Sequence, residues 1–173
     1  MSFFKTLSAT ATALSCAALP AMADMLPAPT GNVLLTLSGD LTNQTTGAAD
    51  GTVTLDLEML KAMPTQVFTT STIWIEGEIE FTGVSLAAVL DYAGATSSTI
   101  GAIASNDYKV EIPTDGLSAN APVVAYLMNG SEMSARGKGP LWIVYPYDDD
   151  AKYRTEVIYS RSIWQLDRIE SAN

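Results

Sequence analysis

The sequence contains no histidine and a single cysteine, Cys16. Without imidazole there is no ordinary zinc or copper site and no histidine base. Cys16 lies within residues 1–23, "MSFFKTLSATATALSCAALPAMA", which read as a cleaved secretory signal peptide. Lys5 supplies the positive start, an Ala/Leu-rich stretch follows, and Ala21-Met22-Ala23 forms an A-x-A cleavage site. Lipidation at Cys16 is the other reading of this segment. After cleavage no thiol is left, which excludes disulfides, thiolate chemistry, cysteine metal ligands and covalent haem. An exported chain without disulfides fits a periplasm. No later run is long and apolar enough to span a bilayer, so stable membrane insertion is not expected.

Positive charge is scarce too. Nine Lys and Arg stand against 19 Asp and Glu, a formal charge of −10, or about −11 once Lys5 is removed. Nucleic acid and anionic membranes are poor partners for such a surface. The cations are unevenly spread, however: Arg136, Lys138, Lys152, Arg154, Arg161 and Arg168 all fall in the last 38 positions. That clustering leaves room for a local anion site.

What remains after residue 23 is about 150 residues, enough for one substantial core. "DMLPAPTGN" reads as an extended leader, and Val33 to Ser38 as a strand followed by a polar loop. Asp56 is placed to cap a short helix, "LEMLKAM", which Pro64 stops. Residues 66–75, "QVFTTSTIWI", are β-branched and aromatic and predict a strand. A second helix is expected where Ser85 can serve as N-cap, Leu86, Val89 and Leu90 form a stripe, and Gly94 suits the C-terminal cap. "DYKVEIP" alternates as a strand, and "PVVAYLMNGSEM" as a strand entering an Asn129-Gly130 hairpin turn. "PLWIVYPY" and "TEVIYSRSIWQLDRIE" complete the pattern as closing strands.

The order of "FTGVSLAAVL", "NDYKVEIP", "MNG", "GKGPLWIVYP" and "IWQLDRIE", across roughly Val53 to Glu170, resembles the oxidoreductase molybdopterin-binding domain family, which has the sulfite-oxidase fold. The resemblance implies an α+β domain, mostly β, with two short helices. It divides the chain into a signal peptide (1–23), an N-terminal extended segment with the first strand (24–52) and a sulfite-oxidase-like domain (53–173). Members of that family hold molybdenum through a pterin dithiolene and a protein cysteine, and transfer oxygen atoms to sulfite or from sulfoxides. At the matching place this chain reads "TTSTIWIEG", with Ser71 nearest and no thiol. Trp142 stands where the family carries an arginine, and Asp148-Asp149-Asp150 where it carries a Tyr-Gly pair. Lys152 is the one remnant of the cofactor loop, and the aspartates repel a pterin phosphate. A cofactor inserted before export needs a twin-arginine signal, and the n-region has no arginine.

The expectation is therefore a periplasmic, non-catalytic binding or accessory module without a cofactor. Its partner is a small anionic ligand or a membrane or periplasmic protein. The alternatives are a molybdopterin-dependent oxidoreductase with a non-cysteine ligand such as Ser71, and a purely structural subunit. The cleft that the family uses for its cofactor directs attention to Asn106, Asp107, Tyr108, Arg136, Lys138, Gly139, Trp142, Lys152 and Arg161. Arg136 to Pro140 reads either as an anion-binding nest or as a flexible turn with glycines at positive φ. Asn106-Asp107-Tyr108 reads equally as cleft wall or ordinary turn. The aspartate triplet reads as a solvated turn or a hard-cation site. The aromatics of the last third, including Tyr145, Tyr159 and Trp164, are mostly core, with one or two available to line a cleft.

Overall fold

Leu35 and Leu37 alternate with less buried neighbours, as do Val53 and Leu55, and these two runs pair as antiparallel strands. The computed structural model describes residues 24–49 and 51–172; the signal-peptide reading of residues 1–23 and the Cys16 question lie outside them. Among these residues the chain forms β1 (Asp24–Leu26), β2 (Val33–Gly39), β3 (Asn43–Thr45), β4 (Thr52–Asp56), α1 (Leu57–Lys61), β5 (Thr65–Ser71), β6 (Glu78–Ser85) and α2 (Leu86–Ala93). There follow β7 (Thr99–Ala104), β8 (Lys109–Pro113), β9 (Val123–Met128), β10 (Ser131–Glu132), β11 (Trp142–Val144), a 3-10 turn at Ala151–Tyr153, α3 (Glu156–Arg161) and β12 (Leu166–Ser171). The fold is α+β and mostly β.

The strands build two five-stranded sheets and a small β1–β3 pair. One sheet runs β4-β2-β12-β7-β8, with β12 parallel to β2 and antiparallel to β7. The other runs β10-β9-β6-β5, and β11 shares with β10 the edge of β9 opposite β6. The main core lies between the sheets. Leu35, Leu37, Leu55, Ile100, Leu166 and Ile169 meet Val84, Val124, Tyr126, Ile143 and Tyr145 there, with Leu86, Val89 and Leu90 of α2 packed against them. The second sheet is buried on its other face as well. Ile79, Phe81, Val123, Ala125, Trp142 and Val144 form a second cluster, covered by Phe68, Trp74, Ile75, Met128 and Met133. Burial on both faces is why β9 and β11 read as unbroken apolar runs.

The helix ends follow their capping residues. Ser85 Oγ accepts the Ala88 N–H (3.1 Å), and Gly94 closes α2 in the left-handed region at φ 65°. Asp56 does more. Its Oδ1 accepts from Met59 N (2.9 Å), while Oδ2 accepts from Thr30 N (2.7 Å) and Gly31 N (2.8 Å). One buried carboxylate thus starts α1 and ties the extended leader to β4. The turn Asn129-Gly130 joins β9 to β10 with both residues at positive φ, as its sequence predicts.

Three expectations are corrected. The strand over 66–75 ends at Ser71, because the chain then bends and Thr72 Oγ1 accepts the N–H groups of Trp74 and Ile75 (3.3 and 3.1 Å). There are three short α-helices among the described residues rather than two. The third, α3, occupies part of the run expected as strand: Thr155 caps it by accepting from Ile158 N (3.3 Å), with Glu156 in the first turn and Arg161 in the last. "PLWIVYPY" supplies only the three residues of β11 as strand.

Two outcomes test this packing. At Gly83, where the β6–β9 register shifts, a Cβ would collide with the Val124 carbonyl oxygen and lie 2.6 Å from Ala125 Cα. Gly83→Ala is expected to cost about 3 kcal/mol in urea unfolding, since neither backbone neighbour can yield. The Asp56 carboxyl is held below its ordinary value, first by the Gly31 N–H and next by the Met59 N–H. Its stabilisation is therefore complete above the unfolded value of about 3.9 and is lost as pH falls through the lower folded value. Thermal melts of Asp56→Asn should lie well below those of the unsubstituted protein at neutral pH, with the gap narrowing through this acid range.

Candidate functional site

After Ser71 the bend over residues 72–77 drops Trp74 onto the second face of the β9 sheet. The bend is fastened from outside by Asp148, whose carboxylate accepts from Ser71 N (2.5 Å) and Ser71 Oγ (2.9 Å). The Asp148 N–H in turn donates to Thr70 Oγ1 (3.1 Å). These bonds, the Ser71 N–H foremost, hold the Asp148 carboxyl below the ordinary carboxylate range. Trp74 then meets four other rings: Trp164 at 5.6 Å, Trp142 at 5.7 Å, Tyr159 at 5.8 Å and Tyr147 at 6.2 Å between centroids, all edge-on. Trp142 is fully buried, and its Nε1–H donates to the Ser162 carbonyl (3.2 Å). Beneath, Tyr147 donates its hydroxyl proton to Ser162 Oγ (2.6 Å).

Beside this cluster opens a cleft of about 310 Å³. Trp74, Tyr159, Trp164 and Tyr108 contribute rings to its lining, Ala104 and Ile163 apolar surface, and Asn106, Ser160, Ser162 and Gln165 polar groups. Asn106 and Tyr108 arrive on the turn between β7 and β8, where Asn106 Oδ1 accepts the Tyr108 N–H (3.2 Å). Tyr159 and Ser160 arrive on α3. Trp164 and Gln165 arrive on the segment that leads into β12.

Lys138 does not line the cleft but sits against two of the rings that do, Trp164 and Trp74. Its ammonium lies 3.6 Å from the centroid of Trp164, 4.9 Å from Trp142 and 5.8 Å from Trp74. Such contacts are each worth about 1 kcal/mol. Among the described residues no carboxylate pairs with it. Desolvation against the rings lowers its pKa. The loop that carries Lys138 is held by Gln165. Its Nε2 donates to the carbonyls of Ala135 and Gly137 (2.9 Å each), and its N–H to that of Lys138 (3.1 Å). The Ser134 carbonyl accepts from Gly137 N (2.9 Å) and Gly139 N (3.0 Å), which closes the loop on itself.

The residues singled out in the sequence thus divide. Asn106 and Tyr108 line the cleft, while Lys138 and Trp142 do not line it but contact its rings Trp74 and Trp164. Asp107 turns away and pairs with Arg168 (2.5 Å), while Asn106 and Tyr108 sit in a turn and line this cleft. Arg136 is exposed and lines no wall of this cleft, although its backbone N–H donates to Ser134 Oγ (3.2 Å). Gly139 is buried, and a Cβ there would collide with the Met133 carbonyl. Neither Gly137 nor Gly139 takes positive φ, so the nest reading and the expected use of these glycines are both corrected: close approach requires Gly139. Lys152 and Arg161 line a different cleft, on the other side of α3. Ser71 is spent on Asp148. The aspartate triplet is a turn in which Asp148 fastens β5 and Asp150 accepts from Lys152 N (2.9 Å), and among the described residues no three acidic side chains converge as a metal group.

Trp74, Ser160 and Gln165 were not found from sequence. For Trp74 the available signal was Thr72, a hydroxyl two residues before it that can turn the chain. No family model matches this chain, and no curated protein matches its sequence at a significant level.

Gln165→Ala should leave the sheets intact and cost about 2 kcal/mol for its two side-chain bonds. Hydrogen exchange should quicken at the Gly137 and Gly139 amides while the β2 and β12 amides stay protected. Equal quickening in β12 would mean that Gln165 supports the sheet and not the Lys138 loop.

Proposed function

We propose that the protein is a periplasmic, non-catalytic binding module on a sulfite-oxidase-like, molybdopterin-binding-like domain, and that its aromatic cleft takes a small organic anion. The observation that carries this reading is Lys138: a desolvated ammonium on the face of Trp164, beside an open cleft, without a carboxylate partner among the described residues. An anion entering the cleft restores to that ammonium the counter-charge it lacks, while Trp164, Tyr159 and Tyr108 offer flat apolar surface. The volume of about 310 Å³ is at the small end for ligand pockets. A membrane or periplasmic protein can use the same chemistry by presenting a carboxylate beside a flat side chain.

A molybdopterin-dependent oxidoreductase is the second reading. Its support is the order of motifs, and the side chains at the expected metal position do not fit it. Ser71 Oγ–H donates to the Asp148 carboxylate at 2.9 Å. A serine that ligates molybdenum must give up that proton, and the adjacent carboxylate opposes a second and third negative charge at the same point.

The test is calorimetric titration with indole-3-acetate and its neutral amide. The carboxylate should bind at least about tenfold tighter, a difference of about 1.4 kcal/mol, and Lys138→Gln should erase the difference. Affinity for the carboxylate should fall as pH rises through the lowered Lys138 value, below the ordinary lysine range, because only the protonated amine attracts it. Equal binding of acid and amide, or undiminished affinity in Lys138→Gln, defeats the anion reading. Molybdenum near one atom per chain in protein purified from its native periplasm would replace it with the enzyme.

A further inference from the structure

The cleft on the far side of α3 measures about 440 Å³ and lies between the 113–122 loop, the 3-10 turn and α3. Its lining mixes apolar side chains, Pro122 and Ile158 among them, with polar ones, of which Asp115, Tyr145, Lys152 and Arg161 decide what it can hold. Tyr145 is the most informative. The residue is only 4% exposed and lines the cleft; its hydroxyl makes no hydrogen bond to any described residue and is open to solvent, since no buried side-chain oxygen among the described residues lacks a partner. Burial pushes its pKa up to about 12, against the opposing field of the Arg161 guanidinium nearby. The hydroxyl therefore stays protonated and donates. Arg161 also lines the cleft and forms no ion pair among the described residues. Lys152 is already committed to Asp150 at 3.3 Å. Asp115 lines the cleft too and is exposed, so it opposes a second negative charge there.

We infer that this cleft is a second binding site, for an apolar monocarboxylate: Arg161 and the Tyr145 hydroxyl take the carboxylate, and the apolar walls take its hydrocarbon body. Guanidinium offers two parallel donors that match a carboxylate, and a phenol proton supplies a third. Phosphate and dicarboxylates fit worse because of Asp115. The site shares no lining residue with the aromatic cleft, so it stands or falls independently of that reading.

Hexanoate is the probe, because it has no ring to stack on Trp164; hexanamide is its neutral isostere and succinate its doubly charged counterpart. Calorimetry should show hexanoate binding at least about tenfold tighter than either. Arg161→Gln and Tyr145→Phe should each weaken hexanoate about tenfold, and the first of these, on a half-exposed helix end, keeps the test valid if the second folds poorly. In amide and indole NMR spectra, hexanoate should shift signals of the 113–122 loop and α3 and leave the Trp74 indole unmoved. Equal affinity for hexanamide, full affinity in Arg161→Gln, shifts centred on the Trp74 and Trp164 indoles, or no binding of hexanoate overturns the inference.

Discussion

Val124, Tyr126, Ile143 and Tyr145 point into the space between the two sheets, while Val123, Ala125, Trp142 and Val144 point the opposite way and are buried as well. A strand pair with two dry faces needs a cover on each. The first face is covered by a whole sheet. The second is covered only by short pieces: Phe68 from β5, the bend holding Trp74 and Ile75, and Met133 before the Lys138 loop. Burying Trp142 at this face is worth several kcal/mol by area alone, so the bend and its Asp148 fastening are held in place by the core they cover. The aromatic cleft is where that patchwork cover stops.

The same patchwork explains the state of Lys138. A lysine at the edge of an incomplete cover loses water on the side facing the rings, and the rings return part of what was lost. Partial burial lowers the Lys138 pKa by desolvation, which disfavours the charged form. A partly desolvated cation on a loop held by three hydrogen bonds from Gln165 is poised to gain from a counter-charge. The acidic surface elsewhere does not contradict this, because screening confines that repulsion to about 10 Å.

The parts of this fold legible in sequence are those whose cause is local. Ser85 and Gly94 bracket α2 and Asp56 opens α1 through bonds within a few residues, and Asn129-Gly130 turns β9 into β10 through the positive φ of both residues. Where the cause is distant, pattern misleads. Thr72 to Ile75 continues a β-branched run, and the strand ends at Ser71 where Thr72 bends the chain and the carboxylate of Asp148, 77 residues away, fastens Ser71. Glu156 to Arg161 is too short for a helical period to outweigh Val157, Ile158 and Tyr159, so its Thr155 cap was the one usable sign. The candidate site suffered most, because it assembles residues from five segments. Lys138, Asn106 and Tyr108 were visible as residue types at motif positions, and the separation of Lys138 from Lys152 and Arg161 was not, since the three sit on different elements whose placement only the fold decides.

The protein has three tryptophans in all, and Trp74, Trp142 and Trp164 lie within 6.2 Å of one another, centroid to centroid. Its intrinsic fluorescence therefore originates at a single place, and energy absorbed by any one indole is shared with the other two. Of these Trp142 is fully buried and Trp164 is 36% exposed. The emission spectrum is thus set by the water that reaches Trp74 and Trp164 at the cleft and by the ammonium beside them. The molecule carries its own optical gauge at the cleft, and no label has to be added to read it.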